Sequence, residues 1–336
     1  MIGQEKYRIY VSSLLNPSGE SGEEFRKLYN KVAEALEGTG KLIEVKNTLD
    51  IWMRDYMPIQ IDENTFVTYQ YSPDYLWSPE RRKYITSRFS TPAKIMANKE
   101  KEPLLPFYRP EVELRECRLI LDGGNVVGCG DNIILTDKVF IENRPKSKDQ
   151  IVGELRRAFG KEVIIIPSDP YEIEEARNID SQKPCELPLC HADGVLASID
   201  DESILIADYG DDPLGYVPQL MNVLSQHFKP ENIKHFDFGD LWEEDVWVYI
   251  NFLRLGDLVL MPELPGKEAL NDMAENQLKK FLGIRDVKRI DTSFISFGKK
   301  ADPGEANSPS TIPTKKTDTT DNYGGALHCI TWEVKS

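Results

Sequence analysis

Five polar marks punctuate the chain at near-regular intervals, and this spacing constrains the fold more than any other feature. They are Arg54-Asp55, Asp122-Gly123-Gly124-Asn125, His191-Ala192-Asp193-Gly194, Tyr249-Ile250-Asn251-Phe252 and the run from Gly324 to Cys329. Neighbouring marks stand about 60 to 78 residues apart, and one fifth of the 336 residues is about 67, so five similar units would fill the chain. Four marks lead into hairpin-like patterns. Val126-Val127 returns as Ile133-Ile134-Leu135, Val195 to Ile199 as Ile204-Leu205-Ile206, and Tyr249-Ile250-Asn251-Phe252 as Leu258-Val259-Leu260, while Arg54-Asp55-Tyr56 runs through Asp62-Glu63-Asn64 into Phe66-Val67-Thr68. The fifth heads a terminal strand, Ile330 to Val334. Helical periodicity follows at Lys148 to Phe159, Val217 to Phe228 and Lys267 to Leu282, with further strand candidates at Glu162 to Pro167 and Val287 to Ile290. Any α/β chain alternates strands and helices. A polar mark at the same place in each unit is what an ordinary alternation does not supply.

Length alone would suggest about two domains, but the repeat argues for a single catalytic domain over 1–336. Two segments break the rhythm. Residues 74–110, with Trp77, Arg81, Arg82 and several prolines, read as an insertion. Residues 298–323, rich in Lys, Thr, Ser, Pro, Asp and Gly, read as a long loop ending just before Cys329, either a lid over an active site or a solvated connection.

Composition excludes several classes. With 56 acidic against 41 basic residues the net charge is -15, which disfavours nucleic acid as a partner and suits a small cation, although plain solubility produces the same balance. No apolar run approaches the ~20 residues of a membrane helix. The first residues lack a secretory apolar stretch, so the expected location is the cytoplasm, as it would also be for a chain trimmed of its signal. Five cysteines, at 117, 129, 185, 190 and 329, make neither a metal pattern nor an even set, so no metal and no cofactor is expected.

Cysteine chemistry needs a thiolate, a nearby acid/base and a group that orients it. Of the four histidines, His227 lies on an amphipathic helix and His235 in an undistinguished strand-like stretch. His328 adjoins Cys329, but on a strand consecutive residues point to opposite faces, which makes it a poor partner for that thiol. His191 and Asp193, two apart on a strand-like run, would share a face. At Trp52-Met53-Arg54-Asp55 the adjacent opposite charges read, in that segment alone, as a buried ion pair. The glycines after Asp122 lead into a strand and lack a phosphate-binding pattern; they permit a close backbone approach, with Asp122 aimed inward.

These residues together, with Gly325-Ala326-Leu327-His328-Cys329-Ile330-Thr331, resemble the agmatine deiminase and bacterial-type (Porphyromonas-type) peptidylarginine deiminase family. The resemblance runs from about residue 50 to the C-terminus. It implies the pentein fold of the guanidine-modifying superfamily, a five-bladed α/β propeller around a polar site. It also implies that Cys329 is the nucleophile, His191 the proton shuttle and Asp122 the group that orients His191. Asp55 and Asp193 would bind the guanidinium nitrogens, with Asn251, Trp52 and Arg54 lining the pocket. Met57, Asp122 in place of the frequent Glu, and Trp332-Glu333 in place of glutamines depart from the pattern and bear on the substrate.

The implied reaction is hydrolysis of a guanidine to a ureido product and ammonia, on agmatine or a similar small cation, or alternatively on a protein arginine side chain. Two other classes stay open. A papain-like protease also needs Cys and His, but places its Cys early, whereas here it comes last. A binding-only propeller is the third, because fold does not guarantee chemistry. Oligomeric state is not legible.

Overall fold

The computed structural model describes residues 7–16, 22–46, 48, 50–73, 112–179, 190–297 and 324–335. The insertion at 74–110 and the loop at 298–323 lie outside the described residues.

Among the described residues the strands form five three-stranded sheets. Strands β1 (Tyr7–Ser12) and β2 (Gly40–Val45) come first, followed by β3 (Ile59–Gln60), β4 (Thr65–Gln70) and β5 (Glu113–Ile120). Next are β6 (Val127–Cys129), β7 (Asn132–Thr136) and β8 (Glu162–Ile166), then β9 (Leu196–Ser198), β10 (Ile204–Ile206) and β11 (Ile233–His235). The series ends with β12 (Leu253–Leu255), β13 (Leu258–Glu263), β14 (Asp286–Asp291) and β15 (Thr331–Lys335).

Each sheet repeats one plan. A short strand pairs antiparallel with the next, and that central strand pairs parallel with a third, as in β6-β7-β8, where Ile134 sits between Val127 and Ile164. The central strands are apolar on both faces: Ile133, Ile134 and Leu135 are all buried, as are Ile204, Leu205 and Ile206. The parallel step needs a crossover, supplied between β7 and β8 by Lys148–Phe159 and between β13 and β14 by Glu268–Leu282. The first of these starts with a Ser147/Gln150 capping box, and both end on a left-handed glycine, Gly160 or Gly283. The fifth sheet joins the two ends of the described chain, with β1 between antiparallel β15 and parallel β2.

The hairpins and crossover helices match the periodicity of the sequence. The marks do not have the expected strand form. Each is helical instead: Met53–Tyr56, Gly123–Asn125, Ala192–Gly194, the longer Glu244–Ile250 ending at Asn251, and Leu327–Ile330. Each stands immediately before the first strand of its sheet. Among the described residues no helix is long and apolar enough to cross a membrane.

Candidate active site

The turns bring their polar side chains together. A helical turn leaves backbone N–H groups without partners inside the turn, and two asparagines supply them from the preceding mark. Asn125 Oδ1 accepts from Ala192 N (3.1 Å), beside His191, and from Thr136 N (3.0 Å) and Oγ1 (2.9 Å). Asn251 Oδ1 accepts from Ala326 N (3.1 Å) and Cys329 N (3.2 Å), and its Nδ2 donates to Cys329 Sγ at 3.2 Å.

Gly124 shows why that position tolerates no side chain. A Cβ there would stand 2.7 Å from Asp55 Oδ1, 2.9 Å from His191 Nδ1 and 3.1 Å from Asp193 Oδ1, so three side chains from two other marks face the one glycine. Its N–H also donates to Asp55 Oδ1 at 3.1 Å. At Gly123 a Cβ would collide with the Arg54 carbonyl, and at Gly325 with the Trp52 ring, which lies beside the Cys329 turn. Asp55, Asp122, His191, Asp193, Asn251, Trp52 and Cys329 are all buried.

His191 is held at both nitrogens. Nε2 lies 3.1 Å from Asp122 Oδ2, and Nδ1 lies 3.5 Å from Asp55 Oδ1. Burial and the Lys138 ammonium push its pKa down, but Asp55 and Asp122 outweigh them and raise it to about 9, so the ring is an imidazolium at neutral pH. Burial opposes ionisation of Asp122, yet Lys138 and His191 hold its carboxyl well below the usual range. Asp55 goes the other way. Burial, with Asp122 and Asp193 nearby, lifts its pKa to about 7 against the pull of His191 and the Gly124 N–H.

Around Cys329, the Sγ–H donates to Asp193 Oδ2 at 3.7 Å. Burial, then the charges of Asp193 and Asp55, push the thiol well above its ordinary value. Asp193 accepts from His328 Nδ1 at 2.8 Å. Burial would raise its pKa, but His328, His191 and Arg54 bring it below the usual carboxylate value. Burial and Arg54 in turn lower the His328 pKa.

Three expectations need correcting. His328 does not face away from the site: Leu327–Ile330 is a helical turn rather than a strand, and the turn carries the His328 ring to Asp193, next to the thiol. Arg54 does not pair with Asp55. Its Nη2 pairs with Glu333, and its Nε donates to the His328 carbonyl at 3.5 Å, so the guanidinium borders the site while Asp55 turns toward His191. His191 and Asp193 do turn toward one place, both facing Gly124, but from a helical turn and not from the expected strand.

Lys138 was not among the sequence candidates. It is fully buried, with Nζ 2.7 Å from Asp122 Oδ2 and 3.3 Å from His191 Nε2. In Asp137-Lys138-Val139-Phe140-Ile141-Glu142 the Lys138–Glu142 spacing reads as a surface helical pair. The one available signal was its position just after the apolar strand of the second unit. Among the described residues no group of His, Cys, Asp and Glu is arranged to hold a metal ion.

The family model places the chain among the guanidine-modifying hydrolases, enzymes that act on C–N bonds. It belongs to the Porphyromonas-type peptidyl-arginine deiminase family, whose model matches residues 18–299, a span that holds Asp55, Asp122, His191, Asp193 and Asn251 and ends before Cys329. The fold is shared with the agmatine deiminase of C. jejuni (17% identity, TM-score 0.60, covering 99% of this chain and 94% of that one). It is shared also with the agmatine deiminase of Enterococcus faecalis (15%, 0.60, 98% and 93%) and with a candidate arginine deiminase from Porphyromonas gingivalis (14%, 0.63, 99% and 97%). No curated protein sequence matches the chain significantly.

Proposed function

We propose that this chain is a deiminase that hydrolyses a guanidine C–N bond to a ureido product and ammonia through a covalent thiouronium on Cys329, with agmatine or a similar small guanidine as substrate. The observation that carries the reading is the convergence of Asp55, His191 and Asp193 on Gly124, with the Cys329 thiol against Asp193. A guanidinium is planar and offers paired N–H donors, and two flanking carboxylates fix its orientation through charge-assisted bonds.

The same cation solves the problem of the thiol. Without substrate, burial and two carboxylates keep Cys329 protonated. A guanidinium between those carboxylates neutralises their field and favours loss of the thiol proton to solvent, and the resulting thiolate adds to the guanidinium carbon. His191, anchored at Nε2 by Asp122, presents Nδ1 toward Asp55 and Gly124. That proton passes to the departing nitrogen, ammonia leaves and a cationic thiouronium remains. The neutral imidazole then takes a proton from water as its oxygen adds to the carbon, and collapse of the adduct breaks the C–S bond while the adduct's O–H proton passes to the departing sulfur, releasing a neutral ureido product and restoring the thiol. Asn251, donating to Sγ, steadies the sulfur as its charge changes.

We further propose that the five sheets are the blades of a closed pentein propeller, within a single catalytic domain. The shared plan and the convergence of the turns on one place support it. Ammonia release should be screened against agmatine, free arginine, blocked arginine esters and arginine peptides, with the product identified by mass. Release from agmatine with a product one mass unit heavier carries the reading. Preference for peptides transfers it to protein arginine, and no release from any guanidine sinks it.

A further inference from the structure

Lys138 opens the helix Lys138–Glu142 directly behind β7 and is fully buried. Asp122 Oδ2 faces two nitrogens at once, Lys138 Nζ at 2.7 Å and His191 Nε2 at 3.1 Å, and the two nitrogens stand 3.3 Å apart. A buried ammonium is tolerated only with a close counter-charge, and Glu142, one turn along the same helix at 3.5 Å, would provide one without any contact to His191. Its placement against both the imidazole and the carboxylate that anchors it is therefore more than ion pairing requires.

We propose that Lys138 is a positioning residue for the His191 proton: its ammonium fixes the Asp122 carboxylate and takes up part of its charge, so that the imidazolium stays oriented without being held too firmly to give up its proton. The charged groups around the ring are Asp55 at Nδ1, Asp122 and Lys138 at Nε2, Asp193 two residues along, and Glu172, whose carboxylate accepts from Cys190 N at 2.8 Å. The four carboxylates all favour the imidazolium, and Lys138 opposes them. Without it the ring would bind its proton more tightly and serve as a weaker acid.

This inference rests on the role given to His191, and its test does not need turnover. Histidine-labelled protein is titrated by NMR, with the His191 signals assigned by their loss in His191→Gln. In Lys138→Gln, which keeps a donor and removes the charge, the His191 midpoint should rise by about one pH unit or more. Lys138→Arg should restore it to within about 0.3 unit of the native value, a rescue that a purely structural role would not produce. With the best guanidine, kcat of the Gln variant should fall with its optimum displaced to higher pH, while KM stays within about twofold. A folded Lys138→Gln protein with an unmoved midpoint overturns the proposal. Should that variant not fold, the Arg variant decides: a native-like midpoint supports the role of the charge, and a shift of a full unit removes it. Displacement of the midpoint in a protein that hydrolyses no guanidine leaves the coupling standing while the deiminase reading falls.

Discussion

Asp55 and Asp193 both stand against Gly124, yet their surroundings drive them apart. On the acid–base side, Asp55 has one backbone N–H and a distant imidazole nitrogen, and burial lifts its pKa to about 7. On the nucleophile side, Asp193 has a His328 bond at 2.8 Å and lies under the influence of Arg54, and it is held below its usual value. One carboxylate is thus a standing anion, and under the proposed function the other becomes one when the guanidinium arrives. The difference teaches that acids buried around one glycine need not all be charged at once: close cations and donors hold Asp122 and Asp193 as anions, while under the proposed function Asp55 waits for the guanidinium.

The largest expected effect lies on the nucleophile side. Cys329→Ser should lower kcat by at least about a thousandfold while the melting temperature moves by only a few degrees, because the hydroxyl is a far weaker nucleophile of similar size. Full activity in that variant removes covalent catalysis from the account. Next come the carboxylates themselves. Asp193→Asn and Asp55→Asn should each cost about 2 kcal/mol or more in kcat/KM, the scale of a charged hydrogen bond in a water-poor site. Near-normal turnover in either breaks the comparison on that side.

The hairpins, crossover helices and fivefold spacing were readable because period-2 and period-3.6 patterns are local properties of the chain. The marks were misread for a related reason. Stretches such as His191-Ala192-Asp193 are too short to show helical periodicity, and their helical turns are held by hydrogen bonds from residues over 60 positions away, such as Asn125 and Asn251. The family's polar motifs brought Cys329, His191, Asp122, Asp55 and Asp193 into the candidate set, and the structure gathers them in one place. Lys138 and the inward turn of His328 were illegible, since each depends on a tertiary neighbour, Asp122 and Asp193 respectively. Arg54 went to Glu333 rather than its sequence neighbour because adjacent residues on a helical turn point in different directions.

A pH profile sharpens the contrast between the carboxylates. If Asp55 must ionise to grip the cation, KM should rise as pH falls below about 7, approaching tenfold per unit. The bound cation stabilises the ionised form, so kcat should lack that limb. Asp55→Asn should abolish the limb, and Asp193→Asn should retain it. A limb that persists in Asp55→Asn belongs to another group, and the contrast then fails.

The smallest expected effect is on stability, and it separates a substrate-binding Asp55 from one that merely balances a neighbouring charge. The native pKa of Asp55, about 7, stands above its ordinary 3.8, so between those values the folded state binds more protons than the unfolded one. Stability from this group therefore falls as pH rises through that window, and above pH 7 the folded protein bears the full cost of a disfavoured anion. Asp193 has the opposite sign: its lowered pKa gives a contribution that is present above the unfolded value and lost as pH falls through the folded one. Asp55→Asn keeps an oxygen for the Gly124 N–H and removes the anion, so at pH 8 it should be as stable as the native chain or more so, by about 1 kcal/mol. At pH 5 that advantage should shrink. Asp193→Asn, which leaves His328 without its anion, should be destabilised at pH 8. Thermal melts of both variants at the two pH values decide the matter. An Asp55→Asn protein that melts many degrees lower at pH 8, yet keeps its kcat/KM, would return Asp55 to a structural role and leave Asp193 alone to orient the cation.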